Sequence, residues 1–303
     1  MTKLEWCRAN APKSLQSASD AELLESMATA YEMFGKGIDV EEPVVLNEIN
    51  ANLDSMVLVL TRVFGNKLAF KGGYMLTKMI PDLARQTADI DFSIQNSELY
   101  RELLITMEKI GEEFKKQGVI ASYTIKPEVR ERLSGGMSMY DATGRKILGI
   151  DVGWHNISYG TTNTNISIAT VRSFTIERML SDKIVAILSR KRFRRAKDIY
   201  DVYCISNCFD FDSKLVYEYI LNRTDGVGAE WDNIPFDETV MREYRKAYNA
   251  LELQSIQKGR QLDRPEFETV LDRFYVIASC VHNSSIEGRS WNHKEGVFRY
   301  EGV

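Results

Sequence analysis

Residues 70–93 read FKGGYMLTKMIPDLARQTADIDFS, and this stretch, Phe70 to Ser93, joins two devices that suit a phosphate ligand. The first is Gly72-Gly73, where the short apolar run Leu68, Ala69 and Phe70 gives way to the helical pattern YMLTKMI. Such a turn lets backbone N–H groups approach an anion. The second is Asp89-Ile90-Asp91-Phe92. Strand alternation puts Ala88, Ile90, Phe92 and Ile94 on one face and Asp89, Asp91 and Ser93 on the other. Two carboxylates two residues apart on one face repel each other, so the pair predicts a cation between them.

Upstream, apolar residues recur at helical spacing over Ser19 to Phe34 and Val44 to Phe64, with Leu53, Met56, Val57, Leu60 and Val63 as one stripe. Residues 1–66 therefore read as an N-terminal helical region. Downstream, a helix is expected from Ser97 to Gln117, with Leu103, Leu104, Met107 and Ile110 buried and Gly118 as its stop. Strand-like segments follow at Val119–Ile125, Gly136–Tyr140, Lys146–Val152 and Asn165–Val171, separated by glycine-rich turns. A helix between the Asp89-Ile90-Asp91 strand and these later strands predicts an α+β fold, a mixed sheet flanked by helices over residues 67–173. From Thr175, a candidate N-cap, the period is helical again, and Ile176, Leu180, Ile184, Ile187 and Leu188 form the stripe. A further helix is expected from about Arg195 to Ser206, and loops at Asp210–Ser213 and Asp225–Pro235 separate later helical segments. Residues 174–303 read as a mostly helical unit whose last 20 residues have no clean period and are left as a tail or lid.

Composition narrows the function classes. With 303 residues, 44% hydrophobic and 27% charged, the chain has material for a large core. A formal net charge of −4 does not advertise a nucleic-acid binder, so any such contact must come from local clustering. The four cysteines, Cys7, Cys204, Cys208 and Cys280, show no disulfide or zinc spacing and read as free thiols of a reducing cytoplasm. No segment has the roughly 18 consecutive apolar residues of a spanning helix, and three histidines make a zinc hydrolase improbable.

A third carboxylate joins the first two. In Leu148-Gly149-Ile150-Asp151-Val152-Gly153, alternation leaves Asp151 between two glycines, where a ligand can come close. Asp89, Asp91 and Asp151 together offer the hard oxygen ligation that Mg²⁺ favours when it also holds a phosphate. Taken singly, each reads better as a solvated residue on a sheet face. Lys183 alone reads as the wet side of an amphipathic helix. Ser189 to Lys197 carries Arg190, Lys191, Arg192, Arg194, Arg195 and Lys197, a density that suits a triphosphate or a nucleic-acid backbone as well as a solvated helix end. Asp198 and Asp201 share a helix face, with Lys197–Asp201 as a surface i,i+4 pair in the bland reading. His155 is placed to accept a proton but reads equally as a loop residue.

Taken together, Phe70-Lys71-Gly72-Gly73 with Leu76 and Lys78, Arg85-Gln-Thr-Ala-Asp89-Ile-Asp91-Phe92, Asp182-Lys183-Ile-Val-Ala186 and Arg195-Ala-Lys197-Asp198-Ile-Tyr-Asp201 resemble the AbiEii-type nucleotidyltransferase toxins of type IV toxin–antitoxin and abortive-infection systems. The resemblance runs from Leu68 to Tyr203. It implies a polymerase-β-like nucleotidyltransferase fold followed by a mostly helical domain. In that reading Gly72 and Gly73 shape the phosphate turn, and Asp89, Asp91 and Asp151 hold Mg²⁺. Lys78 and Lys183 neutralise phosphate charge, and Asp198 is a further essential acid, with Arg195, Lys197 and Asp201 around it. Tyr74 stands where the superfamily usually has a small hydroxyl residue.

The expected activity is then transfer of a nucleoside monophosphate from an NTP to an acceptor, a tRNA 3′ end or other RNA, by a cytoplasmic toxin with a cognate antitoxin. The rivals are an RNA-binding protein on the same fold without chemistry, in which the Ser189–Lys197 cluster makes the contact, and transfer to a protein hydroxyl.

Overall fold

The structure is a computed structural model that describes residues 2–10, 17–26, 43–85, 87–94, 107–154 except 109, 113, 117 and 129–133, 157–188, 195–224, 231, 238–257, 264–284 and 288–300. His155, Leu103, Leu104, the segment from Ser189 to Arg194, half of the expected Ser19–Phe34 helix and most of the expected Ser97–Gln117 helix lie outside those residues.

Seven strands form one mixed sheet in the order β3-β4-β5-β2-β1-β7-β6. They are β1 (Leu68–Lys71), β2 (Asp89–Ile94), β3 (Ser122–Glu128), β4 (Ser134–Tyr140), β5 (Lys146–Trp154), β6 (Thr161–Ile166) and β7 (Ala169–Phe174). The pairs β2–β5 and β1–β7 are parallel and the others antiparallel. β2 is thus interior, which explains its burial: Ile90, Phe92 and Ile94 are fully covered, and Phe92 meets Phe70 of β1 edge-on at 5.9 Å.

Before the sheet come α1 (Lys3–Asn10), α2 (Asp20–Ser26) and α3 (Pro43–Phe64). α3 buries Leu53, Met56, Val57 and Leu60 at helical spacing and packs against β2 and β5. Helix α4 (Gly72–Met79) joins β1 to the β2 segment, and α5 (Ile176–Leu188), α6 (Ala196–Cys208), α7 (Ser213–Arg223), α8 (Glu238–Gln257) and α9 (Phe267–Asn283) follow β7. Thr175 does start α5: its hydroxyl accepts from Arg178 N–H at 3.4 Å and its carbonyl from Met179 N–H at 2.9 Å. α6 is the hub of the later helices, packing against α4, α5, α8 and α9. One apolar core runs from Leu53 through the sheet to Phe274 and Trp291.

Two expectations need correction. Asn165–Val171 is not one strand but the end of a hairpin, in which β6 and β7 pair from Thr161–Phe174 to Ile166–Ala169. The polar run TTNTNI shows no apolar alternation because β6 is an edge strand. The last 20 residues are not a shapeless tail: β9 (Arg289–Asn292) and β10 (Val297–Tyr300) form a hairpin that pairs with β8 (Phe211–Asp212), inside the expected Asp210–Ser213 loop. Trp291 anchors it, stacked on Phe211 at 5.9 Å and donating Nε1–H to the Ser206 carbonyl at 2.7 Å. Among the described residues, no helix is long and apolar enough to cross a membrane.

Candidate active site

The glycine turn and the carboxylate strand meet in space. Lys71 is extended at the end of β1, and Gly72 then adopts φ +71°, the left-handed region that lets the chain turn straight into α4. A Cβ on Gly72 would lie 2.2 Å from Asp91 Oδ2, so only glycine leaves room for that carboxylate. Lys71 and Asp91 are register partners across β1–β2.

β5 brings the third carboxylate. The parallel register sets Asp91 against Asp151 and Asp89 against Gly149, while β4 sets Gly136 against Asp151 on the other side. A Cβ on Gly149 would come within 2.0 Å of Asp89 Oδ1, so that glycine makes space for Asp89 as Gly72 does for Asp91. Asp89 Oδ1 also accepts from Lys146 Nζ at 2.9 Å.

The crowding shows in the acidities. Burial raises the Asp91 carboxyl, with Asp89 adding to the effect and Lys71, Lys183 and Lys197 opposing it. Asp151 is pushed up to about 6, first by desolvation and then by Asp91 and Asp89, although the residue as a whole is exposed. Among the described residues, no group of three or more His, Cys, Asp or Glu side chains is placed to hold a metal ion by itself. Asp91 and Asp151 side by side nonetheless fit the one or two carboxylates that Mg²⁺ takes when phosphate oxygens and water complete its shell.

Facing this wall is a buried cluster of opposite character. Lys183 of α5 donates to Asp198 Oδ1 at 2.8 Å and to Asp201 Oδ2 at 2.6 Å, both on α6. Arg195 reaches Asp198 Oδ2 at 3.2 Å, and Arg85 reaches Asp201. Burial alone would raise Asp198, but Lys183 and Lys197 overcome it and hold the carboxyl at about 2. Burial would likewise lower Lys183, and Asp198 and Asp201 raise it instead, so it stays an ammonium. Lys197 is lowered, chiefly by Arg85 and then by burial.

The structure therefore brings Asp89, Asp91, Asp151, Gly72, Gly73, Lys183, Arg195, Lys197 and Asp198 into one region. Asp201 belongs to the buried cluster rather than to a surface pair with Lys197. Lys78 is not brought there: its ammonium binds Asp54 of α3 at 2.7 Å. Tyr74 is turned the same way, donating its hydroxyl to Asp54 Oδ1 at 2.8 Å, so it does not stand in for a phosphate-binding hydroxyl. Three cations of the region were given no role from the sequence, although Lys71 and Arg85 stand inside the motifs that carry the resemblance. Lys71 acts on Asp91 and contacts Asp182 at 3.5 Å, Lys146 holds Asp89, and Arg85 holds Asp201.

The comparisons bear on the same elements. The family profile described as nucleotidyl transferase AbiEii toxin, type IV TA system, matches residues 58–273, from the end of α3 into α9. JHP933 from Helicobacter pylori is a similar solved structure, at 13% identity over 78% of this chain and 93% of that one, with TM-score 0.46. Another is MenT4, the nucleotidyltransferase toxin Rv2826c from Mycobacterium tuberculosis H37Rv, at 15% identity over 81% and 97%, with TM-score 0.43. None of the curated proteins matches significantly. The profile takes in the glycine turn, the carboxylate strands and the Lys183–Asp201 helix pair, and the chain belongs to the AbiEii family of nucleotidyltransferase toxins.

Proposed function

We propose that this toxin is a Mg²⁺-dependent enzyme that transfers a nucleoside monophosphate from an NTP to the 3′ hydroxyl of a tRNA. As a type IV toxin it has a nucleotide substrate and an antitoxin partner. The observation that carries the finer reading is the Asp91–Asp151 pairing over the Gly72 turn, faced by the Lys183 cluster. Carboxylates forced together and raised in pKa are relieved by a divalent cation.

Asp91 and Asp151, with Asp89 beside them, are the residues to hold that cation, which supplies charge stabilisation at the α-phosphate. The turn at Gly72-Gly73 offers backbone N–H groups to the phosphates at the start of α4. Lys183 and Lys71 offset the triphosphate charge, with Lys197 and Arg195 near them, and Asp198 fixes Lys183 in place. The acceptor oxygen bonds to the α-phosphorus, the bond to pyrophosphate breaks, and the hydroxyl proton passes to solvent.

The test is a screen of the four α-labelled NTPs with total tRNA, other RNA and a protein pool, each with and without Mg²⁺. Label in the tRNA 3′ end that needs Mg²⁺ supports the reading. Label in protein, or transfer that survives chelation, sinks it.

A further inference from the structure

Arg85, which holds Asp201, lies in the segment between α4 and β2. Its guanidinium is forked onto Asp201, with Nε to Oδ1 at 3.1 Å and Nη2 to Oδ2 at 3.1 Å. Oδ2 is the same oxygen that accepts from Lys183 at 2.6 Å. The same Nη2 also lies against the glycine turn, since a Cβ on Gly73 would be 3.2 Å from it. Gly73 is not in the left-handed region, so what its missing side chain provides is space for Arg85. The segment is also fastened beside that contact: Tyr200 of α6 donates to the Leu83 carbonyl at 2.7 Å, and Thr77 of α4 to the Arg85 carbonyl at 3.1 Å.

Charge explains why a cation is needed there. Lys183 is buried between two carboxylates, and a lone ammonium so placed is held by both and has little attraction left for a substrate. Arg85 and Arg195 each take a share of one carboxylate and Lys197 also acts on Asp198, so the two carboxylates are shared among four cations and positive charge is left over. The Arg85–Asp201 side chains are 13% and 2% exposed, so water screens little of this.

We propose that Arg85 is a positioning residue for nucleotidyl transfer: it neutralises Asp201 so that Lys183 keeps a charge for the substrate phosphates, and it braces the glycine turn against α6. This rests on the reading of Lys183 as a phosphate contact.

The test is calorimetric binding of inorganic tripolyphosphate with Mg²⁺ to the full chain and to R85Q, R85K, D201N, R85Q/D201N and K183M, with a thermal melt of each. R85Q is expected to weaken binding about 10-fold by leaving Lys183 between two carboxylates, and R85K to stay within about threefold of wild type. Removing the second charge in R85Q/D201N is expected to recover binding to within about threefold, a rescue that a purely structural role does not give. If R85Q lacks a cooperative melt, D201N decides, since with Arg85 intact it releases a further positive charge and must bind at least as tightly as wild type. Wild-type binding by R85Q beside a weakened K183M overturns the proposal, as does an R85Q/D201N no better than R85Q. Wild-type binding by K183M overturns the reading of Lys183 itself, and the Arg85 proposal with it.

Discussion

Gly72 and Asp91 share one space: the Asp91 carboxylate oxygen lies 2.2 Å from where a Cβ at position 72 would begin. The turn that would receive phosphates and the residue that would hold the cation are therefore one unit.

Gly72→Ala is expected to fail twice. The left-handed φ costs a residue with a Cβ about 1–2 kcal/mol, and the methyl group must also push Asp91 aside. Displacing one reacting group by about 1 Å is worth roughly 100-fold in rate, so label transfer should drop by that order. Gly149→Ala is the control: its φ is ordinary, yet its methyl meets Asp89 Oδ1, so activity should fall with a smaller loss in chemical denaturation. Equal stability of Gly72→Ala and wild type would refute the account of the turn.

Asp151 gives a pH signature. Its carboxyl is raised from 3.8 to about 6, so between those values the folded chain holds a proton that the unfolded chain has released. Stability contributed at this site therefore falls as pH rises through that window, and the penalty is complete above about 6. Without metal, Asp151→Asn should melt higher than wild type at pH 7.5, and the difference should shrink towards pH 4. Mg²⁺ should raise the wild-type Tm more than that of the variant, because it binds only the folded site. Transfer by the variant should drop on the order of 100-fold or more. A variant that melts like wild type at pH 7.5 contradicts the repulsion argument.

Tyr74 and Lys78 should matter little for chemistry. Both are tied to Asp54, so Tyr74→Phe is expected to cost about 1 kcal/mol of stability, and Lys78→Met about 1–3. Steady-state kinetics should leave kcat and the NTP KM of both within about threefold of wild type. A tenfold rise in KM for Lys78→Met would return that lysine to the triphosphate.

These outcomes track how much of the site could be read from the chain. Period-2 alternation in DIDFSI fixes which side chains share a face, so Asp89, Asp91 and their strand were legible, as was Asp151 beside its glycines. Helix stripes did the same for α3 and α5. What periodicity does not carry is which partner a polar side chain meets. Lys78 and Tyr74 sit near the glycine turn in sequence, but four residues apart on α4 they share one helix face, and that face meets Asp54. Arg85 is a charge in an irregular segment, and only the packing of α6 supplies Asp201, 116 residues later. β6 and the closing hairpin escaped because edge strands and short ribbons keep polar residues on both faces.

The closing hairpin yields the last prediction. β9 and β10 are too short to stand alone, and their hold on the helices is concentrated in Trp291, which is 1% exposed between Phe211 and Phe298. Its indole N–H caps the Ser206 carbonyl near the end of α6, the helix that carries Asp198 and Asp201. Trp291→Ala should therefore cost about 3–5 kcal/mol, the range for emptying a large aromatic site. Trp291→Phe keeps most of the packing but leaves a buried carbonyl unpaired, so roughly 1–3 kcal/mol is expected. Because Asp198 and Asp201 lie further back on α6, Trp291→Phe should lower the denaturation midpoint while leaving kcat at low temperature within about twofold. A large kcat loss in Trp291→Phe with an unchanged midpoint would instead mean that the hairpin acts on the site directly.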